Sequence, residues 1–508
     1  MQKIKKLLML GVFAVLALTA CGGNNDGPSV STGGNGGTTE PVTGTNDIQK
    51  DENGSVIYDN VEIKVWSVTT GPDAQTQDEI IAKFNEMYEG MIHVTVDQHI
   101  SRYDLEKMLT STIELNPELA PDILFSHGAR AAEYVDRGWL IPQDHWIEEA
   151  GLVVDEADYV ESLLDSVKVD GKLYGLPQDV HSAMVVVIKD ILERNNLKIP
   201  TNYAELVEVC EAATRLASEG NLWIRGQNSE DILRTEWRKA RTSETYYPFP
   251  LSYGDMWVHE FLGYTIPVQN GASIVDEEGM PAFNSDEMVK GLEVLRGIVS
   301  PNSTSLNTLS LSLNYGSDYD VGNAPFSAGN AIFKLQGPWE HPNNIKEFDT
   351  YYELDGGSDN ITVIPCSNLF ALDNTKDSAS KIKGEGHAFM MMKTVDSHTK
   401  RCAAMVFADW MVQNAGIDWA KRGHLPSLKS VEQSNDYRTA PEYEQYIKNL
   451  GSCEDYVVFP STKYYSIIDA GFKSAVERSM LERYLSTPVK DIVEEAYYNT
   501  MDDIELWS

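Results

Sequence analysis

The chain has 508 residues, 77 of them acidic and 41 basic, for a formal net charge of -36. A field of that sign repels nucleic acid and anionic lipid, and no Lys/Arg run beyond the first few residues interrupts it, so nucleic acid is excluded as a partner. The acidity is a solubility property rather than a binding one.

The first elements in chain order concern address rather than fold. Lys3, Lys5 and Lys6 precede an apolar run over 7–18, and small residues lead into Cys21, which is the pattern of a cleaved export signal. About twelve apolar residues are too few for a hydrocarbon core that needs roughly twenty. Leu18-Thr19-Ala20-Cys21 resembles the bacterial lipobox, in which the cysteine is lipidated and becomes the new N-terminus. That resemblance implies a leader over 1–20, a lipid anchor at Cys21 with no catalytic part, and a place on the extracytoplasmic face of the cell membrane. Residues 22–55 are rich in Gly, Ser, Thr and Asn and almost free of apolar side chains, which predicts a disordered spacer, assigned with the anchor to 21–57. A coil of that length reaches about 30 Å.

The remaining stretch, roughly 450 residues, is enough for two domains with ample cores. Val61, Ile63 and Val65 alternate in a strand ending at Trp66. Ile80, Ile81, Phe84, Met87 and Tyr88 then recur at helical spacing, and Ile92, Val94 and Val96 alternate again. A second amphipathic helix carries Leu105, Met108, Leu109 and Ile113, and Pro121-Asp122-Ile123-Leu124-Phe125 reads as a buried strand. The β-α-β-α-β order predicts a parallel sheet whose ligand loops begin near Trp66 and His127. After Gly171-Lys172-Leu173-Tyr174-Gly175-Leu176-Pro177 the alternation restarts with a strand over 183–188 and a helix opened by Asn202 with Glu205 as a capping box. Trp223, Trp237, Tyr246, Tyr247, Phe249, Tyr253, Trp257, Phe261 and Tyr264 form an unusually aromatic stretch. Farther on, 388–392 reads as a strand and 403–411 as a helix. Cys210, Cys366, Cys402 and Cys453 are widely spaced and predict buried thiols rather than a disulfide framework.

Several separated segments, in order, resemble the extracellular solute-binding proteins of ABC importers, specifically the carbohydrate-binding family that includes maltose-binding protein. They are Trp66, Ala120-Pro121-Asp122-Ile123-Leu124-Phe125 with Gly138-Trp139-Leu140, the 171–177 motif, Lys189-Asp190, Gly329-Asn330-Ala331 with Gly337-Pro338-Trp339, and Gly423-His424-Leu425-Pro426. The resemblance implies an α/β, two-lobed periplasmic-binding-protein-like fold of type II, with a cleft between lobes joined by crossing hinge strands. The first lobe spans 58–177 with a return segment 383–424, and the second spans 178–382 with C-terminal helices in 425–508. It also implies a monomer that carries a carbohydrate to transmembrane permease subunits and performs no chemistry.

A sugar presents apolar faces and a ring of hydroxyls, so its site needs flat aromatic surface and paired polar groups. Trp339, held by Gly337-Pro338, is the first candidate platform, followed by Trp257 and Trp66. The family's sugar-binding Asp-Arg pair falls on Ala129-Arg130, so only Arg130 carries over, and its crossover Glu falls on His181, with Asp179 as a polar alternative. These departures put maltose itself in doubt. His259-Glu260 lacks the second ligand of a zinc-protease helix, because Gly263 stands four beyond the His. Asp318-Tyr319-Asp320-Val321-Gly322 has its Gly one place early for a calcium loop. Neither a metal nor a cofactor is assigned. The alternatives are the same transport role with a peptide or polyamine, and a surface glycoside-active enzyme.

Overall fold

Alternation decides the first strand. In β1 (Val61–Ser67) Ile63 and Val65 point into the core, and the strand pairs in parallel with β2 (Ile92–Asp97), from Val61 opposite Ile92 to Trp66 opposite Asp97. Between them α1 (Gly71–Met87) starts at a Gly-Pro pair and buries Ile80, Ile81 and Phe84 along one stripe. After α2 (Arg102–Leu115), β3 (Ile123–His127) pairs in parallel with the other edge of β1, as the sequence pattern predicts. A short helix, α3 (Ala131–Asp136), follows.

The structure, a computed structural model, describes residues 43–98, 102–226, 236–243, 246–251, 254, 257–299, 323–351 and 357–507. The leader, Cys21, the spacer up to residue 42, Tyr253 and Asp318-Tyr319-Asp320-Val321-Gly322 lie outside the described residues. Gly44–Ser508 forms one compact unit.

The chain leaves the first lobe through β4 (Leu176–Pro177) and β5 (Asp179–Val180) and builds the second lobe around β6 (Met184–Ile188), whose five residues are all buried. The capping box at α4 (Tyr203–Ser218) is half formed. Asn202 Oδ1 accepts from Glu205 N–H at 3.0 Å, but the Glu205 carboxylate takes the Thr201 N–H and hydroxyl, each at 2.8 Å, instead of the Asn202 N–H. The sheet flanking β6 differs from the βαβ expectation. Both neighbours, β7 (Phe333–Gln336) and β8 (Ile361–Pro365), run antiparallel to it, because long excursions return the chain from either direction rather than through a single crossover helix.

Most of the aromatic stretch is core. Phe249, Trp257, Phe261 and Tyr264 are buried in the second lobe, while Trp223 and Trp237 flank the Arg194 guanidinium at 4.7 and 4.5 Å. The chain returns through β9 (Ile382–Lys383) to β10 (His387–Met391), which lies antiparallel to β3 and completes the first sheet. Helices α5 (His398–Asn414) and α6 (Gly416–Ala420) precede the last crossing, β11 (Leu425–Pro426), which pairs with β5. Helices α7 (Tyr465–Met480) and α8 (Val489–Trp507) pack together on the second lobe. One apolar core runs from Ile63 to Leu176 and resumes from Ala388 to Leu428. The other is centred on β6 and reaches Ile504. Cys210, Cys366, Cys402 and Cys453 are each buried free thiols.

The spacer differs from the expectation at its downstream end. Thr45 bonds the Asp396 carbonyl at 2.8 Å and the Asp396 carboxylate at 2.6 Å, and Asp47 accepts from Ser397 Oγ at 2.6 Å and Thr399 N–H at 2.9 Å. Ile48, Val56 and Tyr58 pack on the first core. Composition hides this, because the apolar side chains involved are few and the polar contacts centre on the Asp47 carboxylate at the N-terminus of α5, where free N–H groups and the helix dipole favour an anion.

Candidate functional site

Among the described residues three chain crossings join the lobes, and their register sets the site. β5 pairs with β11, placing Val180 opposite Leu425 and Asp179 opposite Pro426. His181 and Glu385 exchange both backbone hydrogen bonds at 2.8 Å, and Gln178 N–H donates to the His387 carbonyl at 2.8 Å. Side chains two apart on an extended strand share a face, so Asp179 and His181 both meet what the other crossings carry, namely His387 and His424. The four are 0, 5, 7 and 1% exposed in that order.

Asp179 is the hub. It accepts from His387 backbone N–H at 3.0 Å, lies 3.0 Å from His387 Nδ1 through each oxygen, and accepts from Trp419 Nε1–H. His424 sits between two carboxylates, with Nδ1 3.2 Å from Asp179 and Nε2 3.2 Å from Asp73 in the first turn of α1. Burial alone would raise the Asp179 pKa, but His387 and His424 outweigh it and hold the carboxyl well below the usual range. Burial would lower His424, but Asp73 and Asp179 push it up to about 10, so it is an imidazolium at neutral pH. His181 is pushed down to about 4, chiefly by burial, and is neutral.

Trp339 leans on this knot. Its half-buried ring stacks on His424 at 5.9 Å, meets His181 edge-on at 5.2 Å and packs against Trp257 at 5.3 Å. Trp257 lies in a π-helical turn, Trp257–Leu262. Gly337 lets the two indoles meet, since a Cβ there would sit 2.6 Å from Trp339 and 2.7 Å from Trp257.

Beside the knot is a cavity walled by His127 and Ala129 from the first lobe, residues 383–386 from the second crossing, and Tyr264, Phe459, Tyr465 and Phe472 from the second lobe. Its carboxylates and lysines are paired. Glu385 takes Lys383 at 2.6 Å and His127 at 3.2 Å, and Lys473 meets Asp469 at 2.9 Å and Glu260 at 3.7 Å. About 20 Å³ of free space remains, room for about one water molecule, so the lobes are closed over it. Contacts between lobes hold that closure. The Arg130 guanidinium, ion-paired with Glu106, lies 4.7 Å over the Tyr465 ring, and Glu133 accepts from Ser466 Oγ at 2.7 Å.

Of the candidates read from sequence, Asp179, His181, Trp257 and Trp339 therefore meet in one cluster. Arg130 reaches the neighbouring cavity through Tyr465, and Trp66 is packed in the first lobe's core. His387, His424, Trp419 and Asp73 were not among those candidates. His424 stands inside the Gly423-His424-Leu425-Pro426 motif, and His387 immediately precedes the strand predicted from 388, so both adjoin recognised segments; Asp73 and Trp419 carry no local signal.

Residues 79–445 match the family described as bacterial extracellular solute-binding proteins. The chain belongs to that family. A stretch of 218 residues is 26% identical to an uncharacterized ABC transporter extracellular-binding protein of Pyrococcus horikoshii, covering 42% of this solute-binding protein and 45% of that relative, under half its length. Among solved structures, the sugar-binding protein MalE of Xanthomonas citri aligns at a TM-score of 0.64 and 17% identity over 88% of this chain and 99% of its own. The GacH receptor of Streptomyces glaucescens, solved unliganded and with acarbose, gives 0.62 and 15% over 87 and 99%. An ABC substrate-binding protein of Listeria monocytogenes, in complex with cycloalternan, gives 0.59 and 20% over 88 and 100%. These likenesses establish the two-lobed fold of the solute-binding protein.

Proposed function

We propose that this solute-binding protein is a lipid-anchored receptor on the extracytoplasmic face of the membrane that captures a carbohydrate, an oligosaccharide, and delivers it to the permease of an ABC importer. The observation that carries the reading is Trp339. It is a half-buried indole fixed on two histidines and a second indole at the junction of the lobes, which is the aromatic surface a sugar ring stacks on. In this reading His181, edge-on to Trp339, is a hydroxyl partner, and Arg130, over the Tyr465 ring that walls the adjoining cavity, is a second. The solved relatives named with acarbose and cycloalternan support the same class of cargo. The cavity as it stands is too small for a sugar, so capture requires the lobes to part about the three crossings and close again on the ligand. Cys21 is the anchor in this reading, and the permease recognises the closed form.

Glu260, Glu385 and Asp469 favour a second reading, a cationic solute such as a polyamine, but each already faces a lysine of the protein. A thermal-shift screen of the full chain in detergent against mono- and oligosaccharides, amino acids, peptides and polyamines separates the two. Ligand at a hundred times its Kd adds about 2.7 kcal/mol of stability. Trp339→Ala is expected to remove the sugar response while the unliganded protein loses less than the roughly 3–5 kcal/mol typical of a fully buried Trp. Silence to every sugar with a response to a polyamine would overturn the carbohydrate reading.

A further inference from the structure

We infer that the knot at the three crossings is a binding site for one divalent transition metal of the Zn²⁺ class, with Asp179, His181, His387 and His424 as its four protein ligands. One ligand atom from each of these residues lies within 4.8 Å of all the others. Four ligands around a zinc ion at about 2.0–2.1 Å stand roughly 3.3 Å apart in a tetrahedron, so side-chain adjustments of the order of an ångström close the shell. Several separations are already there: 3.0 Å for Asp179 to His387 Nδ1, 3.2 Å for Asp179 to His424 Nδ1, and 3.7 Å for Asp179 to His181 Nδ1.

Two further observations point to a cation. His181 Nδ1 is buried without a hydrogen bond, 3.7 Å from Asp179, a state that costs about 1–3 kcal/mol for a polar atom. The surrounding groups also have the arrangement that orients metal ligands. Asp73 holds the far nitrogen of His424 at 3.2 Å, a carboxylate–histidine pair, and Trp419 Nε1–H donates to the Asp179 carboxylate. Three imidazoles and one carboxylate suit Zn²⁺, Co²⁺ or Ni²⁺ and disfavour Mg²⁺ and Ca²⁺, which take oxygen donors. All four ligands come from the protein and are buried, leaving no open position, so the ion is structural rather than catalytic. It would pin all three crossings at one point, making the angle between the lobes depend on its occupancy. No spacing in the sequence signals this, because the ligands are split among residues 179, 181, 387 and 424.

The test uses the full chain in detergent, stripped with EDTA and dialysed. Elemental analysis after Zn²⁺ addition and gel filtration is expected to return one ion per chain, with a rise in melting temperature that EDTA reverses. Co²⁺ should give the intense visible bands of a four-coordinate ion. His181→Ala is the informative variant, because His181 Nδ1 makes no hydrogen bond whose loss would unfold the metal-free protein. It should weaken Zn²⁺ binding at least about tenfold and abolish the cobalt bands while the stripped protein still folds, with the loss of stability that a buried truncation brings. If His181→Ala fails to fold, His181→Phe, which fills the same buried space without a ligand atom, supplies the same comparison. No bound ion in wild type, or equal binding by wild type and variant, would overturn the site. Because neither readout involves a sugar, failure of the carbohydrate reading leaves this result standing.

Discussion

Gly423 gives the sharpest test of how the last crossing supports the aromatic platform. Its φ is +80°, in the left-handed region, and an added Cβ would lie 2.2 Å from Pro338 Cβ and 3.0 Å from the Pro338 carbonyl carbon. Gly423→Ala therefore has two costs, about 1–2 kcal/mol for the backbone conformation and about 1–3 kcal/mol for overpacking against a rigid turn, or about 2–5 kcal/mol together. Gly151→Ala isolates the first of these. Its φ is +75° but nothing stands within 4 Å of the new Cβ. Urea denaturation of both variants should show the Gly423 substitution more destabilising by about 1–3 kcal/mol. Because Pro338 adjoins Trp339, affinity for the responding sugar should fall with Gly423→Ala and stay unchanged with Gly151→Ala. Variants indistinguishable in both measurements would refute the claim that Gly423 is there to let the crossing pass the Pro338 turn.

Other outcomes follow from single contacts. His341 is buried against Tyr446 at 4.8 Å, and burial, aided by Lys334, pushes its pKa down to about 4 from an ordinary 6.5. The unfolded chain takes up this proton near pH 6.5 and the folded chain does not, so its stabilising contribution is full above pH 6.5 and is lost progressively toward pH 4. His341→Asn should flatten the stability profile in that window by up to about 3 kcal/mol relative to wild type, and parallel profiles would contradict the assignment. Arg130→Gln removes the cation from the Tyr465 ring, an interaction of about 0.5–2 kcal/mol, and should raise the sugar Kd roughly 2- to 30-fold by calorimetry, whereas Glu106→Gln leaves that ring contact in place. Asp47→Ala should expose residues 43–57 to limited proteolysis without moving the main unfolding transition. An unchanged digestion pattern would mean that the apolar contacts of Ile48, Val56 and Tyr58 hold the segment by themselves.

The first lobe was legible because its elements obey simple periods. Ile63 and Val65 alternate, Ile80, Ile81 and Phe84 repeat on one helical stripe, and each strand is long enough for its register to follow from its own side chains. Trp339 was legible for a local reason, since glycine and proline before an aromatic residue announce a fixed turn. The crossings were not. Asp179–Val180 and Leu425–Pro426 are strands of two residues, and such short segments carry no period; only the pairing of Val180 with Leu425 and of His181 with Glu385 decides which side chains face one another. For the same reason His387 and His424 could be read as parts of familiar segments but not as neighbours of Asp179. The aromatic stretch reads from composition alone as core or as binding surface. Its density reflects mostly the second lobe's core, and from it only Trp257 joins Trp339.

The clasp between Asp47 and the start of α5 settles which half of the molecule a leash would hold. Any restraint on the chain upstream of Thr45 is passed through Asp396, Ser397 and Thr399 into the first lobe and never loads the crossings. The second lobe is then the free jaw. In the anchored receptor proposed above, the mouth would open and shut without hauling on its mooring, and slack in the leash would change where it can travel but not how readily it bites.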